Sequence, residues 1–236
     1  MPATVPLNAH DLYQRLLAAY GPQDWWPAET PLEVVVGAVL TQNTAWRNVA
    51  LAIEQLRARR LLELEALLAA PEGELKDAIR SSGFYNIKYE RLRHVLAFLR
   101  ERGGIAGAAA LPGEPLRAEL LAVPGVGPET ADSILLYALD KPFFVVDSYT
   151  RRLLARLGHA WAERAPYAQV QGWFTGQMPP DTARYNEYHA LIVQHCKEHC
   201  LKKPACPGCP LAERCPSNGR TPQQRPPLQP SALDDV

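Results

Sequence analysis

Apolar residues recur along most of the chain at intervals of three and four, the spacing that gathers side chains on one face of an α-helix. Leu12, Leu16 and Leu17 form one such set, Val95, Phe98 and Leu99 another, and Leu153, Leu154 and Leu157 a third. The pattern predicts helices over residues 8–20, 31–43, 45–59, 62–69, 72–81, 86–102, 114–122, 128–139, 148–158, 166–176 and 181–196. Gly and Pro punctuate them at Gly21-Pro22, Pro31, Pro71, Gly83, Gly103-Gly104, Pro112-Gly113 and Gly158. Only Phe143-Phe144-Val145-Val146 reads as extended, and so short a run cannot form a sheet without partners elsewhere. The chain is therefore expected to be all-α. Beyond Gly219 the run TPQQRPPLQPSALDDV is rich in Pro and Gln and poor in apolar residues, so residues 219–236 are expected to form a flexible tail.

With 236 residues, 47% hydrophobic and 21% charged, the composition is that of a globular protein with a real core. No apolar run approaches the roughly 20 residues that span a bilayer. The start MPATVPLNAH has neither a basic flank nor an apolar stretch, so a secretory signal is not expected and the protein is placed in the cytoplasm. Disulfides are disfavoured there, which leaves the five cysteines reduced or metal-bound. The formal net charge is zero, but it is unevenly spread: 13 Lys+Arg stand against 17 Asp+Glu over residues 1–140, and 11 against 6 over 141–220. A locally positive C-terminal third suits an anionic partner.

Cys196, Cys200, Cys206, Cys209 and Cys215 crowd into 20 residues, and the last four follow C-x5-C-x2-C-x5-C in a Pro-rich, non-periodic segment. Such spacing lets the chain wrap four thiolates around one centre, either an iron-sulfur cluster or a tetrahedral zinc. Cys196 lies one helical turn before Cys200 and is assigned to the core.

A second feature is Leu120-Leu121-Ala122-Val123 leading into Pro124-Gly125-Val126-Gly127, then Pro128-Glu129-Thr130-Ala131 and an apolar helix. This reads as a helix-hairpin-helix. Two glycines permit a tight turn and close approach to a surface, Pro128 suits a first helical position, and the N–H groups at that helix start suit a phosphate. Further on, Val146-Asp147-Ser148-Tyr149-Thr150-Arg151-Arg152 places an aspartate at a helix start, as an N-cap or as a carboxylate that activates water or stabilises positive charge.

The hairpin LAVPGVGPETA, then VVDSYTRRLLARLG, then a terminal four-cysteine loop, in that order, resembles the endonuclease III superfamily of DNA glycosylases over roughly residues 8–216. Gly37 to Thr44 is similar to that family's helix-loop carrying a glutamine, and Gly83-Phe84-Tyr85-Asn86-Ile87-Lys88 to its GxYxxK turn. The resemblance implies two helical lobes, a six-helix barrel over 23–141 that includes the hairpin and a cluster lobe built from 1–22 and 142–218. It implies a [4Fe-4S] cluster on Cys200, Cys206, Cys209 and Cys215, with the DNA cleft and catalytic Asp147 between the lobes. Gln42 would fill the gap left by a flipped base, and Phe84 or Tyr85 would wedge the opposite strand. Gly125, Val126 and Gly127 would hold a phosphate, with Lys88 and Arg151 as further DNA contacts. The expected partner is damaged double-stranded DNA, bound by a nucleoid-associated monomer.

Two departures from the family pattern matter. Its usual cluster spacing is C-x6-C-x2-C-x5-C, one residue longer in the first loop, and the lysine that bifunctional members use as an amine nucleophile is here Glu129. A carboxylate cannot form a Schiff base. Asp24-Trp25-Trp26-Pro27 and Thr41 to Trp46 also look like the branch that removes 3-methyladenine, in which Trp25, Trp26 and Trp46 offer π faces to an electron-poor base. The expectation is a monofunctional DNA N-glycosylase using Asp147. Its rivals are a bifunctional lyase using another amine such as Lys88 or Lys141, and a damaged-DNA-binding protein with a lost active site.

Overall fold

The computed structural model describes residues 6–23, 25 and 28–218, and these contain twelve α-helices and no strand. The expectations for Trp26 and for the tail 219–236 lie outside the described residues. Backbone contacts divide the chain into two compact units, one formed by Met1–Trp25 with Phe144–Val236, the other by Trp26–Phe143.

The contiguous unit holds α2 (Pro31–Leu40), α3 (Trp46–Ala58), α4 (Leu64–Ala69), α5 (Glu72–Ala78), α6 (Tyr85–Glu101), α7 (Gly104–Ala110), α8 (Gly113–Leu121) and α9 (Pro128–Ser133). Thr30 caps α2 by accepting from the Glu33 N–H at 3.2 Å, and Pro31 at the first helical position gives up no hydrogen bond. Nine of the ten α2 residues are buried: eight are apolar or Gly, the ninth is Glu33, which accepts from Arg57 at 2.9 Å, and α3, α6 and α9 pack around the helix. Two local features differ from the sequence reading. Gly103-Gly104 ends α6 as its punctuation implies, but a helix not expected there, α7, begins at Gly104, because two left-handed glycines (φ +76° and +75°) turn the backbone directly into it. The helix expected over 128–139 closes with a π turn at Ile134–Ala138, in which Leu139 N–H donates to the Ile134 carbonyl.

The other unit joins α1 (Ala9–Tyr20) to α10 (Ser148–Arg156), α11 (Tyr167–Thr175) and α12 (Thr182–Glu198). Asn8 and Asp181 cap α1 and α12, each accepting from a backbone N–H at 2.7 Å. The extended run expected at Phe143–Val146 remains unpaired but is packed as core from Phe144 onward. Phe144 stacks on Phe174 (4.0 Å between centroids) and meets Tyr185 and Tyr188 edge-on. The buried Tyr188 hydroxyl donates to the Ala9 carbonyl at 2.8 Å and ties α12 to α1.

Arg117 on α8 grips the fully buried carboxylate of Asp132 on α9 through two hydrogen bonds of 2.6 and 3.1 Å, so the helices on either side of the hairpin are held together. Replacing Arg117 by Met removes the cation that faces that buried carboxylate and should cost about 3 kcal/mol of folding stability by urea denaturation. A loss below about 1 kcal/mol would mean that the pair behaves like an exposed one.

Candidate active-site and DNA-binding residues

In the contiguous unit the turn between α8 and α9 runs from Val123 to Gly127 and is closed by the Val126 N–H donating to the Val123 carbonyl at 3.0 Å. Gly125 has φ +84°, and a Cβ there would fall 2.3 Å from Cγ of Arg91. The glycine is thus required twice, by backbone conformation and by the side chain crossing it. A Cβ on Gly127 would meet nothing within 4 Å. Val126 is buried and pins the turn to the core. Glu129 is exposed in the first turn of α9, where the helix dipole favours an acid.

Gln42 lies in the turn after α2 and reaches this hairpin. Its Nε2 donates to the Gly125 carbonyl at 3.1 Å and to Thr130 Oγ1 at 2.9 Å, and its Oε1 accepts from Arg91 Nη1 at 2.6 Å. Neither Thr130 nor Arg91 was expected from the sequence. The available signal was Arg91 standing three positions after Lys88 on one helix face.

The Gly83–Lys88 turn separates residues that the sequence reading grouped. Phe84 is 69% exposed and left-handed (φ +46°), an uncommon backbone state for an aromatic residue. Tyr85 instead packs on the core with the Arg80 guanidinium 4.7 Å over its ring. Lys88 corrects an expectation: it is buried, and its ammonium donates to the carbonyls of Leu40 (2.8 Å) and Ser82 (2.6 Å) rather than facing outward to DNA. Burial, with the Arg91 charge nearby, pushes its pKa down to about 8. Trp46 packs, half-buried, against the core of this unit. Lys141 is also engaged, donating to the Ala109 carbonyl at 2.7 Å.

In the other unit Asp147 is the N-cap of α10. Its Oδ1 accepts from the Thr150 N–H at 2.8 Å and the Thr150 hydroxyl at 2.9 Å. Its Oδ2 faces Nε2 of His189 at 3.6 Å, and the two side chains are 14% and 6% exposed. Burial alone would raise the carboxyl pKa, but His189 and the Thr150 donors outweigh it and hold the group below its ordinary value. The ring of Trp25 lies 5.6 Å from that of His189. His189 was not anticipated, being one polar residue in a long periodic helix. Arg151, expected at DNA, directs Nη1 to the carbonyls of Ala162 (3.1 Å) and Ala165 (2.7 Å) and braces the segment after α10.

Cys200, Cys206, Cys209 and Cys215 line one cavity together with Arg156, His195 and His199. Cys196 is not in its wall, and its Sγ lies 3.6 Å from the Tyr149 carbonyl. Arg156 organises the loop, donating to the carbonyls of Leu201 (2.6 Å) and Lys202 (3.0 Å) and to Cys200 Sγ (3.2 Å). A hydrogen bond from Cys196 and the Arg156 charge hold the Cys200 thiol below its usual pKa against the effect of burial. Burial pushes His195 down to about 4, which leaves a neutral imidazole between Tyr20 (2.9 Å) and Cys209 (3.9 Å). Among the described residues no three His, Cys, Asp or Glu side chains meet at one ion-sized point.

Residues 36–172 match the model of the HhH-GPD superfamily of base excision DNA repair proteins. The chain belongs to this superfamily. It is 51% identical to a candidate DNA repair glycosylase of Methanocaldococcus jannaschii over 87% of this chain and 94% of that one. It is 29% identical to an endonuclease III of Thermotoga maritima over 78% of this chain and 82% of that one. Among solved structures it is similar to a Helicobacter pylori 3-methyladenine DNA glycosylase bound to 1,N6-ethenoadenine. There the TM-score is 0.71 at 28% identity, covering 81% of this chain and 98% of that one. A trapped endonuclease III–DNA covalent intermediate shares the fold, with a TM-score of 0.73 at 24% identity over 89% and 96% of the two chains. The HhH-GPD match includes Gln42, the hairpin and Asp147 and ends before His189 and the cysteine loop. No helix among the described residues is long and apolar enough to cross a membrane.

The hairpin geometry separates its two glycines. Gly125→Ala should lower the melting temperature by several degrees, since the new Cβ needs both a strained φ and displacement of Arg91, whereas Gly127→Ala should move it little. Calorimetry of both variants checks this, and equal shifts would refute the packing role given to Arg91.

Proposed function

We propose that this DNA repair glycosylase is monofunctional: it hydrolyses the bond between a damaged base and deoxyribose and leaves the abasic strand intact. The observation that carries the reading is Asp147, whose Oδ1 is occupied in capping α10 while Oδ2 remains on an ionised, part-buried carboxylate. As the glycosidic bond breaks, its electron pair leaves with the base and C1′ becomes cationic. A negative Oδ2 stabilises that charge more in the transition state than in the ground state. Water then adds to C1′, and Asp147 accepts its proton before passing it to solvent. No amine nucleophile is on offer at the usual place: Glu129 stands there, Lys88 is buried, and the Lys141 ammonium is bound to a carbonyl.

A base inside a duplex must be extruded to be reached. Gln42 is placed at the vacated position and Phe84 against the opposite strand, its exposure and left-handed backbone favouring it over Tyr85. The N–H groups around Gly125, Val126 and Gly127 take a phosphate. Trp25, beside His189, is the stacking surface for the base. An alkylated purine is the favoured substrate, in keeping with the similarity to a 3-methyladenine glycosylase.

The four cavity-lining cysteines fit a [4Fe-4S] cluster, whose irons each take one thiolate and so need ligands spread around a cage rather than gathered at one ion. Bound there, the cluster would cross-link a loop that has little apolar core of its own. The two-unit division is in keeping with a barrel lobe and a cluster lobe.

Duplexes carrying defined alkylated bases test the assignment. The protein should release free base by mass spectrometry without breaking the strand until alkali is added, and borohydride should trap no adduct. Asp147→Asn should slow release by at least about a hundredfold with duplex affinity within a few-fold, because the lost charge acts on the transition state. Retained turnover would reduce Asp147 to a helix cap. The purified protein should contain iron and acid-labile sulfide in near-equal amounts. Cys196→Ser should keep both, while Ser at Cys206, Cys209 or Cys215 should lose them; zinc in place of iron would sink the cluster.

A further inference from the structure

Three side chains on one face of α6, at intervals of three residues, reach the turns assigned to DNA. Lys88 donates to Leu40 at the end of α2 and to Ser82 just before the Phe84 turn. Arg91 donates to Gln42 Oε1 while its aliphatic stem fills the space that the missing Gly125 side chain leaves open. His94 Nδ1 lies 3.3 Å from the Pro124 carbonyl at the hairpin's entry. All three polar positions of the Gln42 amide group are thereby engaged within this unit: its oxygen by Arg91, and its nitrogen by the Gly125 carbonyl and Thr130. An amide can rotate by half a turn with little change in shape, but a cation can approach only the oxygen. Arg91 therefore sets which end of the amide points to the hairpin.

We propose that Arg91 is a positioning residue that fixes the Gln42 amide on the hairpin, so that phosphate capture by the hairpin and filling of the vacated base position by Gln42 occur as one coupled event. Phosphate capture at the hairpin then brings the duplex onto a Gln42 side chain whose orientation Arg91 has already set, so the vacated position is filled without first ordering that side chain. The inference rests on the glycosylase reading above and on its placement of Gln42.

The test is a double-mutant cycle with Arg91→Met, Gln42→Ala and the combination. Affinity is read for a duplex carrying a stable abasic analogue and for the undamaged duplex, together with melting temperature and the side-chain amide spectrum of the DNA-free protein. In the absence of DNA, Arg91→Met should shift the amide resonance that Gln42→Ala abolishes. Each single variant should lose about tenfold in preference for the abasic over the undamaged duplex, and the double variant should lose no more than either alone. Arg91→Lys, which keeps the charge without the fork, should lose the preference as Arg91→Met does, and it serves if the Met variant folds poorly. Additive losses, equal losses on both duplexes, an unmoved resonance, or an intact preference in Gln42→Ala would each overturn the proposal. Failure of the unaltered protein to release any base would defeat the glycosylase reading instead, and the binding cycle would still decide the role of Arg91.

Discussion

A helix that is apolar on nearly every face is readily buried along its sides but not at its ends, where the last carbonyls lack partners within the helix. Helix α2 meets this constraint with a cation. The ammonium of Lys88 enters the interior and donates to Leu40, and its second bond, to Ser82, anchors the approach to Phe84. One group that completes the end of a core helix thus also fixes two surface turns. The arrangement is stable only because the ammonium has carbonyl oxygens to meet, and the depressed pKa records what burial costs it. The hairpin follows the same logic a turn further along α6, where Arg91 crosses a glycine that cannot be anything larger.

Economy of a similar kind governs the other unit. A carboxylate used for chemistry needs a defined position and an ionised state, and N-capping supplies both: two donors on Thr150 orient Oδ1 and favour the anion. The second oxygen keeps its charge beside His189. In the proposed reaction, position and reactivity are divided between the two atoms of one group, so the helix that Asp147 starts is also its mount.

Much of this was legible in the sequence because it is local. Helical periodicity, the two-glycine hairpin and the aspartate that opens α10 are each set by residues within a few positions of one another, and the four cysteines advertise themselves by spacing. What escaped was long-range or conformational. A lysine in a motif reads as a phosphate contact, and nothing near Lys88 in sequence says that its partner is a carbonyl 48 residues away. Arg91 and Thr130 acquire meaning only through Gln42, at separations of 49 and 88 residues. Phe84 and Tyr85 are equivalent as letters and opposite in exposure, a distinction made by one left-handed φ. The paired glycines that end α6 also open α7, a second helix start that composition alone does not show.

The bond from Tyr188 to Ala9 spans 179 residues. During synthesis α1 therefore emerges with the apolar edge formed by Leu12 and Leu16 and must wait for its partner helix. At ribosomal rates of about 5–20 residues per second the delay is on the order of ten seconds or more, long beside the microseconds in which a helix forms. The contiguous unit carries no such debt and can collapse on the ribosome as soon as its last helix clears the exit. Folding order is thereby written into the threading of the chain: the half that bears the hairpin first, the half that bears Asp147 and the cysteine loop only after the C-terminal third has arrived. A nascent chain stalled before α12 would carry a finished hairpin and no seated carboxylate.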